Sequence, residues 1–150
     1  MVSRGDEVGG DGGNPFTLEK NRPVKQLDVW YGQGSGPAVQ QYTVLRGIKV
    51  HWSDNSEGQA GYCPPDEQDR VLHTSFDFEN NGNDPLNWLE IYASTSRVDS
   101  LRLVTEDEKD YFEAGGVGGT KYIQPAHGKK LCGFKGRAAS DIDKLGASFI

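Results

Sequence analysis

The feature that most constrains the fold of this chain is a weak internal repeat. Residues 98–103 (VDSLRL) resemble residues 142–147 (IDKLGA), and residues 46–50 (RGIKV) resemble both, with Arg46 in place of aspartate. The three copies lie about 50 residues apart along the chain. Because one such unit is too small to bury its apolar face alone, the repeat predicts three sheets that enclose one core around a pseudo-threefold axis.

A cluster of glycines accompanies the repeat. Residues 9–13 (GGDGG) resemble residues 115–119 (GGVGG), and residues 57–61 (EGQAG) form a degraded third copy. Each repeat unit therefore consists of a glycine-rich loop and a strand. A chain of 150 residues has room for one domain of this kind and not for two ordinary cores.

Short segments with alternating apolar residues predict an all-β domain with antiparallel sheets, each having one buried and one solvated face. The residues that share a face are Leu27, Val29 and Tyr31; Ile48, Val50 and Trp52; Phe76 and Phe78; Leu89 and Ile91; Leu101 and Leu103; and Leu145, Ala147 and Phe149. The 20 glycines and 7 prolines are concentrated in turn clusters between these segments. No stretch keeps a helical period over three turns.

The charge and hydropathy patterns exclude several kinds of partner. Lys and Arg number 16 against 22 Asp and Glu, which gives a formal net charge of −6 and no basic block, so nucleic acid is not an expected partner. No apolar run is long enough to span a bilayer, so membrane insertion is not expected. The polar N-terminus lacks the apolar core of a secretory signal peptide, so we expect a cytoplasmic or non-classically secreted protein.

The residues that bind metals in proteins do not form a recognisable pattern. Cys63 and Cys132 match no zinc-binding spacing, and without a signal peptide we expect two free thiols rather than a disulfide. The acidic run at residues 106–110 (EDEKD) lacks the alternation of a calcium loop and is interpreted as a solvated hairpin tip. We therefore expect no metal and no cofactor.

Several segments, taken in order, resemble the jacalin-related lectins, in particular their mannose-binding type. The most specific part is the tail, with residues 111–120 (YFEAGGVGGT), 131–137 (LCGFKGR) and 142–146 (IDKLG), while residues 9–15 and 98–101 fit the same pattern. The resemblance implies a β-prism I fold, in which three four-stranded Greek-key sheets surround a pseudo-threefold axis. It also implies carbohydrate binding without a metal ion.

The resemblance extends over almost the whole chain. We expect a lectin domain over residues 9–150, preceded by a disordered segment at residues 1–8.

The resemblance also implies where the sugar binds, between a glycine loop and a Gly-x-x-x-Asp loop at one end of the prism. The glycine-loop residue is Gly13, and the second loop contributes Ala139, Ser140, Asp141 and Asp143. The Asp143 carboxylate would accept hydrogen bonds from two sugar hydroxyls, and the N–H groups of Gly13, Ser140 and Asp141 would donate to sugar oxygens. Ala139 stands where the family has glycine, which would strain the loop if a positive φ were required there.

Without the family pattern, Asp143 has a simpler interpretation as a turn residue whose carboxylate caps loop N–H groups. Trp30, Trp52 and Trp88 are likewise more typical of core or sheet-face positions than of sugar-stacking platforms.

A second sugar site is suggested by the repeat. Asp99 has the position equivalent to the sugar-binding aspartate, with Ser96 and Arg97 before it and Gly119 in the matching glycine loop. An alternative role for Asp99 is to cap its turn. The third repeat has Arg46 at this position, so we predict no sugar site there.

The predicted function is a metal-independent lectin for mannose- or glucose-type glycans. Galactose-binding members of the family resemble a processed form with a new chain terminus in the glycine loop, whereas Gly13 lies inside an intact chain. The expected partners are mono- and oligosaccharides and glycoproteins. Because a shallow site binds one sugar weakly, a homo-oligomer is expected to supply avidity.

The main alternative is a β-prism domain that has lost sugar binding and serves protein interaction or oligomerisation. An enzyme is not expected, because His51, His73 and His127 are scattered along the sequence and no nucleophile or phosphate-loop motif is present.

Overall fold

A computed structural model describes residues 1–66 and 70–150, and those ranges contain thirteen β-strands. In chain order they are β1 (Ser3–Arg4), β2 (Val8–Gly9), β3 (Asn14–Glu19), β4 (Val24–Gln33), β5 (Thr43–Trp52), β6 (Glu57–Gly61), β7 (Val71–Asp77), β8 (Leu86–Ser94), β9 (Arg97–Thr105), β10 (Tyr111–Gly115), β11 (Thr120–Gln124), β12 (Leu131–Ala138) and β13 (Ile142–Phe149). A short 3-10 turn, Asn80–Gly82, precedes β8. Within the described ranges, no helix has the length and apolar character needed to cross a bilayer.

The strands form three antiparallel sheets with the same internal order. Two sheets are four-stranded, with the orders β6-β5-β4-β7 and β10-β9-β8-β11. The third is built from both ends of the chain, in the order β1-β13-β12-β3, and β2 shares the outer edge of β13 with β1. This arrangement confirms the predicted all-β, β-prism I architecture.

The core lies between the inner faces of the three sheets. Strands β5, β9 and β13 contact one another and bring these faces together. Ten of the residues that the alternation predicted to share a face have no exposed surface: Leu27, Val29, Ile48, Val50, Leu89, Ile91, Leu101, Leu103, Leu145 and Phe149. Because all of them belong to one hydrophobic cluster, the three sheets enclose a single core, as the repeat predicted.

Trp30, Trp52 and the two cysteines have structural roles. Trp30 and Trp52 are buried, and their Nε1 groups donate to the carbonyls of Pro64 (3.0 Å) and Cys132 (2.9 Å). The predicted free thiols are confirmed, since Cys63 and Cys132 are both unpaired. Burial raises the pKa of the Cys63 thiol to about 11 and that of Cys132 to about 12, so both are unreactive.

The expectation that residues 1–8 are disordered is corrected by the structure. Ser3 and Arg4 pair with the end of β13, Val8 and Gly9 pair with its beginning, and the Arg4 guanidinium lies 2.7 Å from Glu19. The outer edge of β13 would otherwise present unpaired N–H and C=O groups, which the N-terminal segment satisfies. This pairing has no apolar signature in the sequence.

The predicted pseudo-threefold symmetry extends to individual backbone hydrogen bonds. In each sheet, the residue that follows one glycine of the repeat's glycine cluster donates a hydrogen bond to a carbonyl at or near the start of an inner strand. The three bonds are Gly10 N to Asp143 O (2.7 Å), Gly116 N to Asp99 O (2.8 Å) and Tyr62 N to Arg46 O (2.8 Å). The preceding glycines, Gly9, Gly115 and Gly61, all have positive φ.

The substitution Gly115→Ala tests this close approach. Gly115 has φ +115°, and an added methyl group would contact the Asp99 carbonyl and lie 2.7 Å from the Ser100 Cα. We expect the free energy of unfolding to fall by about 1–3 kcal/mol, because alanine is strained at this φ. The control Gly36→Ala places its methyl group in open space and is expected to raise it by about 0.4–1 kcal/mol. Urea denaturation measures both, and equal effects of the two variants would contradict the prediction.

Candidate functional site

Two loops from opposite ends of the chain meet at one end of the prism. The loop between β2 and β3 carries Gly12 and Gly13, and the turn between β12 and β13 leads to Asp143. A methyl group added at Gly13 would lie 2.7 Å from Asp143 Oδ2, and one added at Gly12 would lie 3.2 Å from Oδ1. The structure thus brings Gly13 and Asp143 together, and only a residue without a side chain leaves room for the carboxylate.

The Asp143 carboxylate is half-buried and open. None of the described residues donates a hydrogen bond to it, so the structure does not show the turn-capping role that the sequence left as an alternative. Burial raises the pKa of Asp143, the nearby Asp141 carboxylate raises it further, and Arg137 opposes both effects. A half-buried carboxylate with free acceptor sites is suited to bind groups that carry O–H donors.

Arg137 holds the glycine loop in place. Its Nε donates to the Gly12 carbonyl (3.1 Å), and its Nη2 donates to the Gly13 carbonyl (2.9 Å). This two-pronged contact orients the peptide planes beside the Asp143 carboxylate. Sequence analysis did not single out Arg137, because its role depends on carbonyls more than 120 residues away along the chain.

The three remaining residues of the predicted loop differ in exposure. Ala139 and Ser140 are exposed, and Asp141 is buried. The Asp141 carboxylate lies 2.6 Å from Arg46 Nε and accepts a hydrogen bond from Ser35 N (3.1 Å). It is therefore occupied, which leaves Asp143 as the open carboxylate of this loop.

Ala139 does not strain the loop. Its φ is not positive, and its N–H donates to the Asp141 carbonyl at 3.0 Å. Alanine in place of glycine is therefore compatible with this turn.

The equivalent position in the next repeat has a different environment. The Asp99 side chain is 1% exposed, and its Oδ2 accepts a hydrogen bond from Arg97 Nε at 2.7 Å. The Arg97 guanidinium also lies 3.7 Å from the centre of the Tyr42 ring. A methyl group added at Gly119 would lie 2.5 Å from Asp99 Oδ1, so the loop and aspartate are juxtaposed as in the first repeat. The second sugar site stays a prediction, and Arg97 already engages its carboxylate.

Ser96, the other residue predicted for the second site, borders the first glycine loop. A methyl group added at Gly10 would lie 2.9 Å from the Ser96 Cα. Each glycine loop has a comparable contact with a neighbouring sheet, since Gly116 lies against Thr43 and Gly61 lies against Ile142.

A polar cluster on the outer face of the β4–β7 sheet was missed by the sequence analysis, which treated the histidines as scattered. The Nε2 atoms of His51 and His73 lie 3.2 and 2.8 Å from the Asp28 carboxylate, which also accepts from the Ser75 hydroxyl. Burial by itself would raise the pKa of Asp28, but the hydrogen bonds from Ser75 and His73 and the nearby histidines lower it on balance. Because β4 lies between β5 and β7, it brings side chains from both neighbours to one carboxylate.

Among residues 1–66 and 70–150, no group of three or more His, Cys, Asp or Glu side chains is arranged to hold a metal ion.

Comparison with known proteins gives one family match and several structural matches. The chain matches the Jacalin-like lectin domain over residues 6–148, a range that begins inside the segment expected to be disordered. No curated protein sequence matches it significantly.

Three solved structures illustrate the structural similarity. The lamprey immune protein is 22% identical with a TM-score of 0.78, and the match covers 99% of this chain and 44% of that protein. The chain therefore spans less than half the length of that relative. The Malaysian banana lectin is 18% identical with a TM-score of 0.73, covering 100% of this chain and 99% of the lectin. The mannose-binding lectin from Champedak is 18% identical with a TM-score of 0.75, covering 100% and 97%.

At these identities the solved structures show a shared fold, and the family match covers nearly all of the chain. The chain belongs to the Jacalin-like lectin domain family.

Proposed function

We propose that this protein binds carbohydrate at the Asp143 site without a metal ion. The observation that carries the proposal is the open Asp143 carboxylate beside Gly13, in a chain of a lectin family. The carboxylate accepts hydrogen bonds from two sugar hydroxyls, and the N–H groups of Gly13, Ser140 and Asp141 donate to sugar oxygens. Charge-assisted hydrogen bonds of this kind are about twice as strong as neutral ones.

We propose mannose- or glucose-type glycans as the ligands. Gly13 contributes an ordinary peptide N–H inside the chain and not a charged terminal amine, so the site contains one fewer positive charge than a processed chain would have. The similarity to the Champedak lectin, which is described as mannose-binding, supports this assignment. The biological partners would then be oligosaccharides and glycoproteins.

We further propose that the protein acts as a homo-oligomer. The site is an exposed rim of short loops, so a single sugar is expected to bind with millimolar affinity, about −4 kcal/mol. Several linked sites raise the overall affinity without new contacts.

For the second repeat, we propose that sugar binding at Asp99, with Ser96, Arg97 and Gly119, is weaker than at Asp143. Arg97 engages Asp99 Oδ2 and lies over the Tyr42 ring, and the unpartnered Oδ1 atom is buried, so a sugar hydroxyl has less access to this carboxylate than to Asp143.

Asparagine substitutions at the two equivalent aspartates test the site. We expect Asp143→Asn to weaken glycan binding by roughly 10- to 100-fold, because a hydrogen bond to a charged group contributes about 1.5–3 kcal/mol. Asp99→Asn is the matched comparison at the weaker proposed site and is expected to lower stability and to weaken glycan binding less than Asp143→Asn does. A glycan array with EDTA present measures binding, and thermal unfolding monitors the fold.

The outcomes of this experiment separate the alternatives. A blank array with folded wild-type protein would favour the protein-interaction or oligomerisation domain over the lectin. Glycan binding that survives Asp143→Asn would keep the lectin and place its site elsewhere. Binding confined to galactose would contradict the proposed specificity alone.

The raised pKa of Asp143 predicts a pH dependence for both binding and stability. Sugar binding requires the ionised carboxylate, so affinity should fall as the pH is lowered through this raised pKa. In the free protein, burial and the Asp141 carboxylate disfavour the ionised form of Asp143. Protonation of Asp143 therefore stabilises the folded state, and this stabilisation is lost as the pH rises through the raised pKa. We therefore expect Asp143→Asn to be at least as stable as wild type at neutral pH. Glycan affinity measured at successively lower pH, starting from neutral pH, tests the predicted loss of binding. An affinity that does not change with pH would contradict it.

A further inference from the structure

Arg46 has the place in its sheet that Asp143 and Asp99 have in the other two. Its carbonyl accepts the same backbone hydrogen bond from the adjoining loop, donated by Tyr62 N at 2.8 Å. The third repeat therefore keeps this backbone hydrogen bond, although the side chain at this position differs.

The Arg46 side chain reaches out of its own repeat and contacts the turn between β12 and β13. Its Nε donates to the Ser140 carbonyl at 3.0 Å and lies 2.6 Å from Asp141 Oδ1, while its Nη1 donates to the Gln33 carbonyl at 2.9 Å. Arg46 is 9% exposed and Asp141 is 8% exposed, so the pair is largely removed from water.

The other oxygen of the Asp141 carboxylate completes the link. It accepts a hydrogen bond from Ser35 N at 3.1 Å, in the loop between β4 and β5. Arg46 and Asp141 together therefore connect the β4–β5 loop to residues 139–141. Arg46 contacts Gln33 as well as the turn, and Asp141 contacts Ser35 as well as Arg46. Movement of the turn would therefore break several contacts at once.

A buried ion pair is weak support for stability, because desolvation of the two charges offsets much of their attraction. The effect of the Arg46–Asp141 pair on the geometry of the turn is better defined. Ser140 and Asp141 supply two of the N–H groups assigned to sugar binding, and Arg46 holds the carbonyl of one and the carboxylate of the other.

We propose that Arg46 is a positioning residue for the carbohydrate site. It fixes the Ser140–Asp141 peptide in the conformation that binds sugar, so less ordering entropy is lost when the ligand arrives. This inference rests on the proposed function, and it assigns to the third repeat the role of supporting the first repeat's site. Arg46 does not contact the sugar itself.

The test compares three variants of this pair with a control elsewhere. Arg46→Met removes the guanidinium, Arg46→Lys keeps the charge without the planar fork, and Asp141→Asn removes the partner charge. Arg102→Met is the matched control. The Arg46 guanidinium lies 5.1 Å from the centre of the Tyr62 ring and beside the Asp141 carboxylate. Arg102 has the same kind of surroundings in the β8–β11 sheet, 4.5 Å from the centre of the Tyr92 ring and 3.5 Å from the Glu113 carboxylate.

Two readouts separate positioning from general stability. The dissociation constant for methyl α-mannoside measures binding, and hydrogen exchange of residues 139–143 in the free protein measures the order of the turn. We expect Arg46→Met to weaken binding by about threefold to tenfold and to speed exchange in this turn. Arg46→Lys should have a smaller effect on both the dissociation constant and the exchange rate. Asp141→Asn should change both in the same direction as Arg46→Met. Arg102→Met should lower stability without changing either readout.

The inference is overturned if Arg46→Met binds methyl α-mannoside like wild type, or if its turn exchanges at the wild-type rate. Equal losses of affinity in Arg46→Met and Arg102→Met would also overturn it, since they would reflect lower stability. If Arg46→Met does not fold, Arg46→Lys and Asp141→Asn decide by the same criteria. Wild-type protein that binds no glycan would instead overturn the proposed function, and the role of Arg46 in binding with it.

Discussion

The structure depends on one backbone hydrogen bond that occurs once in each sheet. In every repeat, a loop N–H donates to a carbonyl at or near the beginning of a central strand, which belongs to Asp143, Asp99 or Arg46. The bond requires two backbone segments to approach so closely that no Cβ fits at the preceding glycine. Because it links each glycine loop to a strand that also lines the core, packing of the core holds the loops at one end of the prism.

The same backbone geometry gives three different side-chain environments. Asp143 is open, Asp99 is paired with Arg97, and the third position holds an arginine that reaches the turn before Asp143. The difference arises from neighbouring residues and not from the fold. A backbone with pseudo-threefold symmetry thus presents one carboxylate to solvent, supported by Arg137 on the glycine loop and by Arg46 on the opposite turn.

Several features were accessible from local sequence patterns. The alternation of Leu101 with Leu103, or of Ile48 with Val50, predicted which faces are buried, because side-chain direction in a strand has a period of two residues. The repeated glycine clusters and strand segments predicted three sheets. The family pattern predicted that Gly13 and Asp143 lie together, and in the structure a methyl group added at Gly13 would lie 2.7 Å from Asp143 Oδ2.

Other features depended on residues that are distant in sequence. Three contacts have no periodic signature in the sequence. They are the pairing of Ser3 and Arg4 with β13, the convergence of His51 and His73 on Asp28, and the contact between Arg46 and the turn before Asp143. The sequence alone determined the all-β class, the three repeats and the buried faces, because these follow from local periodicity and spacing. Only the tertiary structure decided which carboxylate stays open, because that depends on which charged side chains from other sheets come within hydrogen-bonding distance.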